Sequence, residues 1–279
     1  MDRLHARPGN LYRSVTVSGA GKVPPAYDFL DISDYARPAA RWLVSRLLNT
    51  QVSPIQITLA FTLVGLVAAL LFSLDRWLWL AGLLLVVKSA LDGADGSLAR
   101  ARGAPSRVGR FLDSVCDFIV NLAVFTGIAI GAIQRGNSPA ILLAALAALF
   151  CAMLQVSLFN RFYVLYRAQS GGDQTSHVTE DEAGGYPGDN PAWLHPLYVA
   201  YRAIYGWQDM LVRYLDDSLA PHQPPLRRSF LTAASVLGLG TQLLVIAICA
   251  VLGFPILGLL LFLTVFNSYA LVLLVLRRA

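Results

Sequence analysis

Long apolar segments dominate this sequence and constrain its fold more than any other feature. Only 14% of the residues are charged and the mean hydropathy is +0.57, whereas a soluble domain is about a quarter charged. A helix crosses the hydrocarbon core of a bilayer, about 30 Å thick, with roughly 20 residues. The sequence therefore predicts an all-α integral membrane protein with six transmembrane helices, near residues 54–74, 77–100, 107–133, 139–166, 229–253 and 255–276.

The N-terminal region is more polar than these segments. Residues 1–37 mix Gly, Pro, Asp and Tyr without sustained periodicity and are interpreted as a cytoplasmic tail. The next stretch, "PAARWLVSRLLN" at 38–49, places apolar residues such as Trp42 opposite Arg41 and Arg46. This pattern is typical of an amphipathic juxtamembrane helix lying in the interface before the first span. Residues 38–279 are predicted to form one six-helix membrane domain.

One long connection, at 168–227, separates the fourth predicted span from the fifth. Its first part is polar and rich in glycine, and its second part is a helical stretch rich in Trp and Tyr. Amphipathic rings prefer the headgroup region of a bilayer. The pattern favours an interfacial helix without a chemical role, and a lid over a cytoplasmic site is the alternative.

The distribution of arginine predicts how the spans are oriented. If the first span begins in the cytoplasm, the basic residues near span ends lie mainly on the cytoplasmic side, and only Arg76 and Arg135 lie on the other. This asymmetry follows the positive-inside rule. We therefore expect both termini, and the polar stretch at 91–117, to face the cytoplasm.

The stretch 91–117, "LDGADGSLARARGAPSRVGRFLDSVCD", concentrates negative charge between two apolar segments. A carboxylate inside a membrane helix costs about 2.5–3.5 kcal/mol, so four that faced lipid would cost roughly 10–14 kcal/mol. They are therefore expected to line a polar cavity that neutralises them. Basic residues are not interleaved closely enough to pair with all of them, which favours bound metal ions. The four are Asp92, Asp95, Asp113 and Asp117.

The spacing of these aspartates supports a shared metal site. Asp92 and Asp95 are three residues apart, and Asp113 and Asp117 are four apart, so each pair lies on one face of a helix. A short loop near 101–106 predicts an antiparallel hairpin, in which the pairs converge. Carboxylate oxygens select Mg²⁺ or Mn²⁺. Two such ions about 3.5–4 Å apart would form a clamp for phosphoryl displacement.

The residues between the aspartates fit a phosphate substrate. Gly96 and Gly109 lack side chains where a ligand could approach the backbone closely. Arg100, with Arg107 and Arg110 nearby, supplies planar guanidinium groups that bind pyrophosphate at two points. Each glycine alone is more typical of close helix packing, and each arginine alone of membrane anchoring. Their combination with four aspartates favours the phosphate interpretation.

Together these positions read D-x-x-D-G-x-x-A-R-(x8)-G-x-x-x-D-x-x-x-D, which resembles the signature of the CDP-alcohol phosphotransferases. The resemblance covers residues 38–277 in layout and 92–117 in specific motif. It implies that residues 38–279 are a catalytic domain. Every specified position is filled, by Asp92, Asp95, Gly96, Ala99, Arg100, Gly109, Asp113 and Asp117.

The resemblance also implies a reaction and a role for each position. Enzymes of this family bind a CDP-linked substrate, transfer its phosphoryl-bearing half to an alcohol and release CMP. By resemblance, Asp92, Asp95 and Asp113 are metal ligands. Asp117 is both a metal neighbour and the general base that takes the proton of the acceptor hydroxyl. The positions similar to the family's nucleotide site are Gly96, Ala99, Arg100 and Gly109.

One segment departs from the family pattern. Family members often carry Pro-Asn before the Ser or Thr of the first span, whereas this chain has "SPIQIT" with Ile55 at the Asn position. Thr58 keeps the hydroxyl and is expected to contact the nucleotide. Gln56 is the candidate to replace the missing amide.

The sequence indicates the identity of the acceptor alcohol less directly than it indicates the reaction. The usual donor in the family is CDP-diacylglycerol, and the segment "GRFLDSVCDFIVN" resembles relatives that act on inositol-type polyols. An acceptor that carries phosphate would need further cations, for which Lys88 and Arg161 are candidates. Lys88 could instead pair with an aspartate, and Arg161 could anchor its helix. The expected partners are a CDP-linked substrate, a small alcohol, membrane lipid and, by resemblance, a second copy in a homodimer; no nucleic acid is expected.

Three alternatives remain open. The donor could be a soluble CDP-linked headgroup and the acceptor a lipid alcohol, an arrangement that exists in the same family. A membrane prenyltransferase also uses aspartates and Mg²⁺, but on two separate helix pairs, and this chain has one acidic cluster. An ion-coupled transporter would explain buried acids but not the spacing of Gly96, Arg100 and Gly109.

Overall fold

The computed structural model describes residues 23–172, 185–219 and 225–278, and these residues are helical with short connections. The predicted segments correspond to helices whose bounds differ from the prediction by a few residues. The helices are α1 Arg37–Leu47, α2 Pro54–Ser73, α3 Leu78–Ala101, α4 Arg107–Gln134, α5 Ile141–Ser170, α6 Pro191–Leu219, α7 Arg228–Ala234, α8 Leu239–Val251, α9 Pro255–Leu261 and α10 Asn267–Arg278.

Within the described chain, four helical segments are long and apolar enough to cross a membrane: α2, α4, α5 and Pro255–Arg277. The pair α7 and α8 passes the same test together but is bent by 47°, which makes five if the pair is one span. The predicted span at 229–253 is therefore broken, at Gly238. The remaining predicted span, 77–100, corresponds to α3, which is long but carries the charged residues Lys88, Asp92 and Asp95. Several apolar helices thus mark an integral membrane protein, while the count of six stays a prediction.

Glycines lie where α4 crosses α2 and where α3 crosses α8, so that these helix pairs pack closely. A Cβ on Gly127 of α4 would lie 2.5 Å from the carbonyl oxygen of Ala69 in α2, and one on Gly131 would meet the carbonyl oxygen of Phe72. A Cβ on Gly82 of α3 would lie 2.7 Å from the carbonyl oxygen of Ala247 in α8. Small residues at such contacts let helix backbones approach directly, which is the usual way helices associate in lipid.

The π-helical turn at Phe262–Phe266, between α9 and α10, is stabilised by a polar cluster inside the bundle. A π-turn leaves a helix carbonyl without its normal partner. The Gln155 side chain of α5 donates to the Phe262 carbonyl at 2.9 Å and to Asn267 at 2.8 Å. Gln242 of α8 donates in turn to Gln155 at 3.1 Å. The buried amides therefore satisfy one another and tie α5, α8 and α10 together.

The helix α1 lies where the amphipathic segment was predicted, and it is attached to the end of α3. Its buried residues Ala40 and Val44 pack in a cluster with Ala94 and Leu98 of α3. Arg102, just after α3, donates to the carbonyls at the end of α1 and beyond it, those of Leu47 at 2.6 Å, Thr50 at 2.8 Å and Val52 at 2.6 Å. This guanidinium satisfies carbonyls that a helix end leaves unpaired.

The predicted N-terminal tail is described from residue 23, and residues 1–22 lie outside the described part. The described portion packs on the bundle. Phe29 makes edge contacts with the rings of Tyr163 and Tyr166 of α5, and the Tyr166 hydroxyl donates to the Tyr27 carbonyl at 2.8 Å. The stretch from 25 to 34 is thus part of the membrane domain's surface.

Candidate functional site

The site is built on the hairpin of α3 and α4, as the sequence predicts. Gly103 turns the chain after α3 with a φ of 62°, a conformation that suits glycine. Ser106 then caps α4, accepting a hydrogen bond from the Gly109 N–H at 2.9 Å. The end of α3 and the start of α4 therefore lie side by side and present the four aspartates to one another.

Three of the four aspartates converge. Carboxylate oxygens of Asp92, Asp95 and Asp113 all lie within 4.8 Å of one another. The Oδ1 atom of Asp113 is buried and has no hydrogen-bond partner among the described residues, which is costly for a carboxylate oxygen unless a cation neutralises it. Hard oxygen ligands in this arrangement fit a divalent ion such as Mg²⁺ or Mn²⁺. The aspartate cluster is therefore suited to the metal that the sequence predicts.

Asp95 is oriented by α2. The Thr58 hydroxyl, which is 2% exposed, donates to Oδ2 of Asp95 at 2.6 Å. The Gly96 N–H donates to the other oxygen. Thr58, predicted as a nucleotide contact, thus lies behind a candidate metal ligand and fixes its direction. Gln56, the candidate replacement amide, forms a capping box with Ser53 at the start of α2.

Asp117 is not part of this cluster of three, and Lys88 connects it to Asp92. The Lys88 ammonium is 0% exposed and contacts Asp92 at 2.7 Å and also Oδ1 of Asp117. It also lies 4.5 Å from the centre of the Phe61 ring, on whose face a cation is favoured. A buried lysine is strongly destabilising unless it is paired. Lys88 therefore serves as an internal counter-ion that joins α3 to α4, and contact with an acceptor would require these ion pairs to open.

Arg161, the second candidate for acceptor binding, is also paired inside the protein. Its guanidinium donates to Asp216 and Asp217 of α6, both at 3.1 Å, and its side chain is 9% exposed. Asp216 is fully buried and also lies 3.4 Å from Arg277 of α10. This cluster of charges fastens α6 to α5 and α10.

The predicted nucleotide residues line the same hairpin. The Arg100 side chain lies over Gly96, where a Cβ would approach its Nη1 atom to 3.3 Å, and it donates to Ser97 at 3.2 Å. The carbonyl of Ala99 accepts from the Ala104 N–H in the loop at 3.1 Å. Gly109 lies in the first turn of α4, next to its cap. Gly96 and Gly109 are both half-buried, and the side chains of Arg100 and Ser106 lie over them.

Two residues near the site were not predicted, Asp189 and Tyr205, and both come from the long connection. The Asp189 carboxylate accepts from the Ser106 hydroxyl at 2.6 Å and from the backbone N–H groups of Arg107 at 3.0 Å and Tyr186 at 2.8 Å. Partial burial raises the pKa of Asp189, but these hydrogen bonds outweigh it and hold the pKa below its usual value. A carboxylate near a helix N-terminus is favourable, so Asp189 stabilises the start of α4. Because Asp189 is far from α4 in the sequence, no local pattern predicts this contact.

Comparison with known proteins was consistent with the motif. The model of the CDP-alcohol phosphatidyltransferase family matches residues 52–180, a range that contains all four aspartates. The archaetidylinositol phosphate synthase of Pyrococcus horikoshii is 40% identical over 84 residues, which are 30% of this chain and 44% of that protein. The phosphatidylinositol phosphate synthase of Cutibacterium acnes is 34% identical over 128 residues, 46% of this chain and 59% of that protein.

A solved structure is also similar. It is the phosphatidylinositol phosphate synthase of Mycobacterium tuberculosis with CDP-DAG bound, 19% identical, with a TM-score of 0.40, covering 86% of this chain and 92% of that one. The chain spans about half the length of the curated relatives it matches, 44% and 59% for the two named above. The segment that matches the family model, 52–180, includes the α3–α4 hairpin and ends before α6.

Proposed function

We propose that this chain, whose residues 52–180 match the model of the CDP-alcohol phosphatidyltransferase family, belongs to that family. We propose further that it transfers phosphatidyl from CDP-diacylglycerol to a small alcohol, an inositol-type polyol, and releases CMP. The convergence of Asp92, Asp95 and Asp113, with Asp117 one turn further along α4, carries the proposal. The names of the relatives, which are inositol phosphate lipid synthases, support the choice of acceptor.

The aspartates divide the work of the reaction. Asp92, Asp95 and Asp113 would hold Mg²⁺ or Mn²⁺, and we propose two ions, the second shared with Asp117. When bound, the ions make the phosphorus electrophilic and neutralise charge on the phosphates. Thr58 and Lys88 keep two of these carboxylates in place through the contacts described above. The nucleotide is proposed to lie against Gly96, Ala99, Arg100 and Gly109, and Thr58 is proposed to act on the site through Asp95.

Asp117 is proposed as the general base. Lys88 occupies its Oδ1 atom, so Oδ2 is the oxygen that accepts the proton of the acceptor hydroxyl. The acceptor oxygen then bonds to the phosphatidyl phosphorus while the bond from that phosphorus to CMP breaks, and CMP leaves with the bonding electrons.

Orientation and assembly belong to the same proposal. We propose that the site and both termini face the cytoplasm, because arginine is concentrated at the ends of the spans on that side. A homodimer is proposed on the family resemblance. Labelling of single cysteines introduced at Arg76 and Arg41, from either side of sealed vesicles, would test the orientation.

The direct test is CMP release by the purified protein in detergent with Mg²⁺ and CDP-diacylglycerol. The acceptor panel contains inositol, inositol phosphate, glycerol phosphate and serine. Release that depends on one inositol-type acceptor supports the proposal. Release only with a soluble CDP-linked headgroup and a lipid alcohol would reverse donor and acceptor, and failure to bind any CDP compound would favour a transporter.

Asp117→Asn is expected to abolish CMP release while leaving CDP-diacylglycerol binding largely intact, because the amide cannot accept the proton. Asp28→Asn, at an exposed position on the N-terminal segment, is the matched control and should release CMP at the wild-type rate. Turnover by Asp117→Asn at the wild-type rate would contradict the assignment of the base.

A further inference from the structure

The connection at 168–227 contributes a helix that lies against α4, beside the aspartates. The start of α6 is tied to the start of α4 by Asp189. Further along, Leu194 of α6 packs in a buried cluster with Val108 and Phe111 of α4. The Phe111 ring then contacts Tyr201 of α6, with centroids 5.2 Å apart. The two helices therefore touch over the first turns of α4, which lead to Asp113.

Tyr205 continues this row of aromatic residues towards the site. Its ring lies 5.4 Å from that of Tyr201, and its hydroxyl donates to the Ser114 carbonyl of α4 at 2.9 Å. Ser114 directly follows Asp113 and precedes Asp117 by three residues. The hydrogen bond thus attaches α6 to the turn of α4 that carries both aspartates.

The rest of α6 is anchored so that Tyr205 cannot follow α4 freely. The Ser157 hydroxyl of α5 donates to Gln208 at 2.9 Å in a buried contact. Asp216, two turns further, is paired with Arg161 and Arg277. Since these contacts lie on α5 and α10, Tyr205 connects α4 to those two helices through α6.

We propose that Tyr205 is a positioning residue of the metal site: its hydroxyl fixes the rotation of α4 so that Asp113 meets Asp92 and Asp95. The inference rests on the proposed function for its catalytic consequence, but not for its effect on the metal. A carbonyl has two lone pairs, so Ser114 can accept from Tyr205 and from its own helix. The segment that matches the family model ends at 180, so α6 adds to the site a contact that the motif does not contain.

The phenol is suited to act as a permanent donor. Burial raises the pKa of Tyr205 well above its usual value, and the nearby charges of Asp117 and Asp113 raise it further. The hydroxyl therefore keeps its proton. Tyr205 itself contacts a backbone carbonyl, so it acts on the aspartates through α4.

The test is Mn²⁺ binding to the full chain in detergent, followed by electron paramagnetic resonance, with Tyr205→Phe. This change removes only the hydroxyl. We expect Mn²⁺ to bind about three- to tenfold more weakly, the effect of losing one hydrogen bond. Tyr214→Phe is the matched control, because Tyr214 lies on the same helix and is 70% exposed; it should bind Mn²⁺ like the wild type.

The same variant separates positioning from mere support of the fold. If Tyr205 positions Asp113, the Mn²⁺ concentration that half-activates CMP release rises by the same factor, and saturating Mn²⁺ restores most of the rate. Unchanged Mn²⁺ affinity in Tyr205→Phe, with or without a lower melting temperature, would overturn the proposal. Weaker Mn²⁺ binding in a protein that releases no CMP with any acceptor would support the role of Tyr205 and reject the proposed function.

Discussion

Replacing Lys88 by methionine tests whether this ammonium neutralises the negative charge of the aspartates before a metal binds. Lys88→Met keeps the length of the side chain and removes the only ammonium that contacts Asp92 and Asp117 in the described structure. Removing one partner of a buried ion pair costs about 3–5 kcal/mol, because the remaining charge is left uncompensated. For a chain of this size 1 kcal/mol corresponds to about 2–4 °C, so the melting temperature in EDTA should fall by roughly 6–20 °C.

Saturating Mg²⁺ should raise the melting temperature of the variant by more than it raises that of the wild type. A ligand that binds only the folded state stabilises it more, the more tightly it binds. The metal site of the variant carries one more uncompensated negative charge, so Mg²⁺ should bind it more tightly. The assay is thermal unfolding in detergent, with EDTA and with saturating Mg²⁺. The Mg²⁺-induced rise in melting temperature is the decisive quantity.

Arg135→Met is the control for this measurement. Arg135 pairs with Asp75 at 2.5 Å, but its side chain is 36% exposed, and an exposed pair contributes about 0–1 kcal/mol. The reasoning fails if Lys88→Met melts within the range of this control in EDTA. It also fails if Mg²⁺ raises the melting temperatures of variant and wild type equally.

Two further changes test other contacts. Gly127→Ala should destabilise the protein by about 1–3 kcal/mol, the usual cost of overpacking, because its Cβ would lie 2.5 Å from the Ala69 carbonyl. Gly258→Ala, whose Cβ would have its nearest neighbour at 3.6 Å, is the control and should keep the wild-type melting temperature. Equal melting temperatures of the two variants would contradict the close packing at Gly127. Asp189→Asn should cost about 0.3–1 kcal/mol at neutral pH, the contribution of a negative charge near a helix N-terminus. Since the pKa of Asp189 in the folded state is lowered, the wild type loses this contribution as the pH falls below about 3.9, the ordinary aspartate value. The melting temperatures of the wild type and the variant should therefore converge in acid. A difference in melting temperature that stays constant with pH would contradict the role of the Asp189 charge.

The sequence predicted most of the helices because their signals are local. Apolar runs with Pro or Ser at their starts set the bounds of α2 and α4. The spacing of the aspartates predicted that they converge on the hairpin of α3 and α4, and three of them do. The bend in the segment 229–253 was missed because it depends on tertiary packing: Gly238 lies against Ser33 of the N-terminal segment, which is distant in sequence.

Site residues that follow helical spacing could be predicted from the sequence, whereas contacts that form only when helices pack together could not. The pair Lys88 and Asp92 is visible as an i, i+4 spacing, but the contact of Lys88 with Asp117 requires α3 and α4 to be packed. Tyr205 lies 91 residues from Ser114, and no local pattern connects them. Arg161 looked available for a ligand because its partners on α6 could not be identified from spacing.

The glycine crossings also determine which parts of the molecule can move. Where Gly82, Gly127 and Gly131 face backbone carbonyls, two helices cannot slide or roll without a steric clash, so α2, α3, α4 and α8 behave as a stiff frame. In contrast, Asp113 and Asp117 lie towards the other end of α4, where Asp189 and Tyr205 of the long connection hydrogen-bond to this helix. The glycine crossings therefore fix the parts of α3 and α4 remote from the loop, and the contacts with the long connection set the position of the carboxylates on α4.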